Sequence, residues 1–219
     1  VIRPLPWDSE FFGFPVGTVE GSAESHELQA FECVYWLADL DDERPAALGF
    51  VQIDERITLE RTPIESGGAV SPCSAFTGGR CPPALVHTAR TAHTDSRFFQ
   101  DGRFPRERCE DLFQRWLERD FAENLAWTID RGGEPAGYIT LAVTADATSI
   151  GLLGVVEGHR GRGLAKALVS QAIAHSASLG RPCRVVTQGR NSAAMAVYAS
   201  MGFAEVQRQT WWHRWRVRA

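Results

Sequence analysis

The sequence predicts a mixed α/β fold, and three stretches carry that prediction. A strand-like run at 149–156 leads through Glu157-Gly158-His159-Arg160-Gly161-Arg162-Gly163 into a long helical pattern ending near Leu179-Gly180. Within 105–123 the apolar residues Leu112, Phe113, Trp116, Leu117 and Phe121 recur at helical spacing. Ala126-Trp127-Thr128-Ile129 and 136–143 flank Arg131-Gly132-Gly133-Glu134, which reads as a hairpin.

The elements follow in chain order. Residues 1–61 read as short strands with one or two helices. Cys33-Val34-Tyr35-Trp36-Leu37 is β-prone and stops at Asp39, Asp41 and Asp42, which favour turns and helix starts. A short helix then reaches Leu48, with Gly49 closing it. Residues 50–53 and 56–60 alternate like two strands. Residues 62–82 are rich in Gly, Pro, Ser and Thr and read as a linker to a second unit, 83–219. After the long helix come a strand at 183–187, a helix at 192–201 stopped by Gly202, and a final strand pair within 203–217. A faint echo links Cys33-Val34-Tyr35 and Leu48-Gly49-Phe50 with Cys183-Arg184-Val185 and Met201-Gly202-Phe203. Residues 1–61 therefore read either as a half-sized copy of the second unit or as a chance likeness between two αβ units.

Composition narrows the class. Of 219 residues, 44% are hydrophobic and 23% charged, which suits a folded chain and argues against disorder. A net charge of -4 argues against a nucleic-acid partner. No apolar run approaches the ~20 residues of a membrane span. Trp7, Asp8, Ser9 and Glu10 interrupt any secretory signal, so a cytoplasmic protein is expected. Five cysteines without a CxxC pair or a Cys/His cluster point to neither disulfides nor a metal site. His87, His93 and His175 show no metal spacing and receive no role. Residues 181–219 hold seven arginines and one acid, Glu205. This basic end is either a solvated rim or a set of contacts for a phosphorylated ligand.

The stretch that carries chemistry is 151–165. A strand runs into a glycine-rich turn and a helix begins at once. The first amides of a helix lack intrahelical partners, and the helix dipole adds positive potential there. Such a turn cradles a phosphate or diphosphate. The Gly-Lys-Ser/Thr of a P-loop is absent, and GxGxxG fits poorly because Leu164, Ala165 and Lys166 follow Gly163. The spacing Arg-x-x-Gly-x-Ala, from Arg160 through Gly163 to Ala165, resembles the diphosphate loop of the GCN5-related N-acetyltransferases (GNAT). Residues 183–187, Asn191 and Tyr198-Ala199-Ser200-Met201-Gly202-Phe203 resemble that family's second coenzyme-binding segment. The resemblance covers 82–219.

The resemblance implies a GNAT fold, with a mixed central sheet split at the coenzyme site and an incomplete GNAT-like unit before it. It also implies acetyl-CoA as co-substrate and a primary amine of a small molecule as acceptor. Leu152, Leu153 and Val155 would offer backbone groups to pantetheine. Arg160, Gly161, Arg162, Gly163, Leu164, Ala165 and Lys166 would hold the diphosphate. Asn191 would bond pantetheine or simply cap the next helix. Tyr198, seven residues on and so two helical turns away, would protonate the departing thiolate or serve as a core tyrosine. Glu157 and Asp54 are the candidate bases, unless each is merely a solvated acid.

A narrower resemblance is carried by Trp7-Asp8-Ser9-Glu10-Phe11-Phe12-Gly13, Ser96-Arg97-Phe98, Thr187-Gln188-Gly189-Arg190-Asn191 and Trp211-Trp212. These look like the enzymes that acetylate the 4-amino group of a dTDP-linked 4,6-dideoxy sugar, dTDP-fucosamine. The fuller Arg-x-x-Gly-x-Ala loop and a longer 100–108 segment depart from that pattern. The resemblance implies a dTDP-amino sugar as acceptor, with Arg97, Phe98 and Arg103 as contacts. Two alternatives stay open, another small-molecule amine or a non-catalytic acyl-CoA-binding scaffold. Open sheet edges allow a homodimer.

Overall fold

The computed structural model describes residues 1–63, 72–123 and 126–217. Most of the expected linker, 64–71, therefore lies outside the described residues. The strands are β1 (Ile2–Pro4), β2 (Val16–Val19), β3 (Cys33–Asp39), β4 (Val51–Arg61), β5 (Cys73–Ala75), β6 (Ala126–Arg131), β7 (Glu134–Val143), β8 (Thr148–Val155), β9 (Cys183–Gln188) and β10 (Ala204–Trp215). The α-helices are α1 (Pro6–Phe12), α2 (Arg44–Ala47), α3 (Pro83–Ala92), α4 (Arg97–Gln100), α5 (Arg106–Ala122), α6 (Leu164–Ser178) and α7 (Ser192–Ser200).

One sheet runs in the order β1-β2-β3-β10-β4-β9-β8-β7-β6-β5. Its neighbours are antiparallel except β2 with β3 and β8 with β9. The strands of 1–61 and of 83–219 thus share one sheet, and β4 lies between β9 and β10. Two expected strand pairs are corrected. Residues 51–61 form the single strand β4 rather than two strands, and 204–215 form the single strand β10. Each carries its change of direction as a shift of register, between Trp211 and Trp212 and between Glu205 and Gln207. An irregularity of this kind bends a strand without ending it.

Helices cover both faces. On one face α6 buries Leu164, Leu168, Val169, Ala172 and Ile173 against β7, β8 and β9. That recurrence places them on one helical stripe. On the other face α5 buries Cys109, Leu112, Phe113, Leu117 and Phe121, and packs beside α3. Leu112, Leu117 and Leu168 are each 0% exposed, so truncation to alanine costs about 2–5 kcal/mol apiece. Aromatic rings from α1, β3, α4 and β10, with Phe104, build a second core around Cys109 and Leu112 in the first half of α5.

The feature that positions the site is where β8 leaves β9. They pair only at Thr148/Cys183, Ser149/Arg184 and Ile150/Val185. Next to this point the β7–β8 ladder shifts register between Ile139 and Leu141. The Thr140 hydroxyl takes the place of a backbone acceptor and receives the Leu152 N–H at 2.8 Å. A β-carbon on Gly151 would stand 2.7 Å from that hydroxyl, so only glycine lets the strand turn here. The bulge turns β8 away from β9, and the sheet opens.

Candidate active site

Into that opening sinks a cavity of about 780 Å³. Its floor is Gly151, Leu152 and Leu153 of β8, Val185 to Gln188 of β9, and Asn191, Ala194 and Tyr198 at α7. The walls come from His93 and Asp95, from Phe113 and Trp116 of α5, and from Trp7, Asp8 and Tyr35 of the N-terminal segment. Residues far apart in sequence therefore meet around one chamber because β4 and β10 carry the N-terminal strands up to β9.

The glycine-rich turn lies beyond the end of β8. A short 3-10 turn, Glu157–His159, leads to Arg160, and Gly161 and Gly163 hold φ of 73° and 77°. Those left-handed values suit glycine, and they fold the chain straight into α6. Gly163 stands at the cap of α6 and no side chain caps the helix. The first helical bond runs from the Ala167 amide to the Gly163 carbonyl at 3.1 Å, leaving the amides of Leu164, Ala165 and Lys166 without intrahelical partners. Unpartnered amides at a helix start are the feature that anion binding requires. Arg160 folds back, donating from Nε to the Val155 carbonyl at 3.2 Å, while Arg162 is exposed.

The backbone of β8 divides its duties. Leu152 N–H faces β7 through Thr140, and Val156 N–H reaches the Ala136 carbonyl at 2.9 Å. Successive residues of a strand point their amides to opposite sides, so Leu153 and Val155 face the cleft. Leu153 and Val155 suit the expected pantetheine edge, whereas the Leu152 amide is already spent on Thr140.

Tyr198 is 3% exposed and lies in the cavity floor beside Phe203, ring centres 5.5 Å apart. Burial, helped by Cys183, pushes its phenol well above the ordinary value, so it stays protonated at neutral pH. Asn191 caps α7 by accepting the Ala194 amide at 3.0 Å, and it also lines the cavity. Its carbonyl oxygen serves the helix and its amide nitrogen remains a donor. The capping reading of Asn191 is thus shown, and its amide nitrogen stays available on the cavity side.

The two acids expected as bases lie elsewhere. Glu157 is exposed in the 3-10 turn and does not line the cavity. Asp54 is buried behind the wall. Its Oδ1 accepts Arg190 Nε at 3.0 Å, and its Oδ2 has no partner among the described residues. Burial raises the Asp54 pKa and Arg190 partly offsets the rise. The acids that line the cavity are Asp8 and Asp95.

Of the expected acceptor contacts, Arg97 lines the cavity. Its guanidinium lies 4.1 Å from the Tyr35 ring centre and 4.2 Å from those of Phe98 and Trp211. His213 Nε2 accepts from Arg97 Nη1 at 2.8 Å, so the imidazole proton sits on Nδ1, which donates to Asp101 Oδ2 at 2.8 Å. Trp215 donates to the same oxygen, and Arg103 donates to Asp101 Oδ1. Burial would raise the Asp101 pKa, but His213, Trp215 and Arg103 outweigh it and hold the carboxylate ionised. Burial also lowers His213 to about 4, leaving it neutral. Phe98 lines the cavity and is 5% exposed within the aromatic core. Arg103 does not reach the chamber; it clamps Asp101 and covers Trp215.

Three groups of the chamber went unread in the sequence. His93 lies in the wall with Nε2 3.1 Å from the Tyr138 hydroxyl, and burial lowers it to about 4. Asp8 and Arg56 also line the cavity. The motif around Trp7 and Asp8 was the available signal for the first; Arg56 carried none.

With the split sheet and the uncapped turn in place, comparison with known proteins is direct. Residues 88–203 match the acetyltransferase (GNAT) family, and the chain belongs to that family. A curated relative, spore coat polysaccharide biosynthesis protein SpsD of Bacillus subtilis, is 29% identical over 137 residues, covering 60% of this chain. The matched stretch spans 47%, about half, of that relative's length. Among solved structures, a conserved protein of unknown function from Staphylococcus epidermidis superposes with a TM-score of 0.59 at 14% identity, covering 99% of this chain and 90% of that one. A GCN5-related N-acetyltransferase from Sphaerobacter thermophilus gives 0.54 at 18%, covering 84% and 59%. A tandem GNAT protein from the clavulanic acid biosynthesis pathway gives 0.53 at 18%, covering 94% and 77%. These likenesses establish the GNAT fold.

Proposed function

We propose that this protein transfers an acetyl group from acetyl-CoA to a primary amine of a small molecule by direct attack, and that the acceptor is the 4-amino group of a dTDP-linked deoxy sugar. The observation that carries the transfer is the opening between β8 and β9. A chamber floored by a protonated tyrosine sinks into it, and β8 leads on from it to the uncapped start of α6.

The residues divide the work as follows. The amides of 161–166 hold the coenzyme diphosphate, with Arg160 fastened to the end of β8 beside it. Leu153 and the Val155 amide offer the cleft edge of β8 to the pantetheine arm, the Val155 carbonyl being taken by Arg160, and the Asn191 amide nitrogen adds a donor. Tyr198, kept protonated by burial, gives its proton to the departing sulfur. The proton lost by the amine leaves on the acceptor side. Asp54 is the candidate acceptor for it by resemblance, Asp8 and Asp95 by position. Among the described residues, no group of three or more His, Cys, Asp or Glu is placed to hold a metal ion.

The relative SpsD is named for polysaccharide biosynthesis, and the aromatic walls at Trp7, Tyr35 and Trp211 suit a flat ring.

Calorimetry with acetyl-CoA tests the first half, and thiol release tests the second. At about 100 times its dissociation constant the coenzyme should stabilise the fold by about 2.7 kcal/mol. Absence of binding overturns the transfer reading. Turnover on other amines with none on the dTDP-amino sugar overturns the sugar reading, and binding without turnover on any amine leaves a scaffold.

A further inference from the structure

We infer that Arg56 is the anchor for an oxyanion carried by the acceptor, at a distance from the amine that is acetylated. The inference rests on the acetyl-transfer reading, and it adds a residue and a substrate requirement to it.

Arg56 projects from β4 into the cavity, at the register positions of Gln188 and Gln209. Its guanidinium has five N–H groups. Nη1 donates to two neutral oxygens, Thr58 Oγ1 at 3.0 Å and Gln209 Oε1 at 3.3 Å. Nε and Nη2 make no bond to any described residue, which leaves three donors on the side-on edge that matches a carboxylate or phosphate.

The acids of its own strand are all taken. Along β4, Asp54 pairs with Arg190, Glu55 with Arg208 and Glu60 with Arg184. The other arginines of the chamber are also satisfied. Arg3 pairs with Glu20, Arg119 with Asp120, and Arg97 sits among rings with His213 behind it. Of the acids in the wall, Asp8 acts on Arg97, and Asp95, which repels Asp54 and forms no ion pair among the described residues, has no effect on Arg56, whose only influence is burial. Arg56 is the cavity arginine with neither a carboxylate nor a ring. Burial of this group is unfavourable on its own, and it lowers the Arg56 pKa with no charge partner to oppose it. A guanidinium held half-dry with its fork open is a site waiting for an anion. The coenzyme's own diphosphate is assigned to 161–166, none of which lines this chamber. The anion therefore belongs to the acceptor.

The test uses the full chain saturated with CoA, so that the diphosphate loop is filled. Pyrophosphate and succinate are titrated separately into that complex and followed by calorimetry. At least one should bind at millimolar concentration. Arg56→Gln should weaken that binding about ten- to a hundredfold, the usual loss for hydrogen bonds to a charged group. Arg56→Lys should fall between. CoA affinity should stay unchanged in both variants, which also shows that they fold. Binding of pyrophosphate alone identifies a phosphorylated acceptor, and binding of succinate alone a carboxylated one. If neither anion binds the wild-type complex, or if Arg56→Gln binds them as tightly as wild type, the inference is wrong. Loss of CoA binding by the wild-type chain would instead remove the acetyl-transfer reading beneath it.

Discussion

Replacing Tyr198 by phenylalanine isolates one hydroxyl. The ring is 3% exposed and packs against Phe203, contacts that phenylalanine preserves. The hydroxyl makes no hydrogen bond to another described residue, so its removal orphans no partner. Stability should therefore change by about 1 kcal/mol or less, since packing is kept and no hydrogen bond is lost. Chemistry should respond differently. A positioned general acid contributes about 10²–10⁴-fold, so turnover should fall at least about a hundredfold, or roughly 2.7 kcal/mol in the barrier. In the proposed arrangement backbone amides hold the coenzyme, so its affinity should be unaltered. Thiol release under saturating acetyl-CoA measures turnover, calorimetry measures affinity, and a urea melt measures stability. Because burial keeps the phenol protonated, the wild-type rate should show no alkaline fall from this group below its ordinary value near pH 10. Unchanged turnover in Tyr198→Phe would refute its role as acid. A rate loss matched by an equal loss of stability would reduce it to a packing residue.

Gly163→Ala places a β-carbon in open space but at φ 77°, so the cost is backbone strain of about 1–2 kcal/mol. CoA affinity should weaken at least about tenfold with it, and unaltered affinity would detach the loop from the coenzyme. For pH, the neutral form of His93 is favoured by the fold, where its pKa drops from 6.5 to about 4. The unfolded chain binds that proton first, so the associated stability is complete above pH 6.5 and is lost as pH falls towards 4, up to about 3 kcal/mol. His93→Gln should flatten this part of the stability–pH curve, and an unchanged slope would contradict the assignment. A fragment of 83–219 should fail to fold, because removing β4 bares the facing edges of β9 and β10 together. A cooperative melt from that fragment would show that it forms a sheet without β4.

The family and the glycine-rich turn were legible early because they are local. Gly161, Gly163 and the apolar stripe from Leu164 to Ile173 sit within a few turns of chain, where dihedral preference and helical period act directly. Tyr198 and Asn191 were legible for the same reason, being two turns apart on one helix. The unbroken strands β4 and β10 were not, because register shifts interrupt their alternation without ending them. Glu157 and Asp54 were chosen by chain position and likeness, and neither faces the chamber.

By itself, then, the sequence determined the order of elements from α5 to α7, the glycine-rich turn and the tyrosine that follows it. Only the tertiary structure decided that β4 separates β9 from β10, and that Trp7, Asp8 and Arg56 share a chamber with Tyr198. The reason is the range of the forces involved. Turn and helix preferences are settled by neighbours in sequence, whereas strand pairing and side-chain neutralisation depend on partners more than a hundred residues away, as Arg190 with Asp54 and Arg184 with Glu60 show.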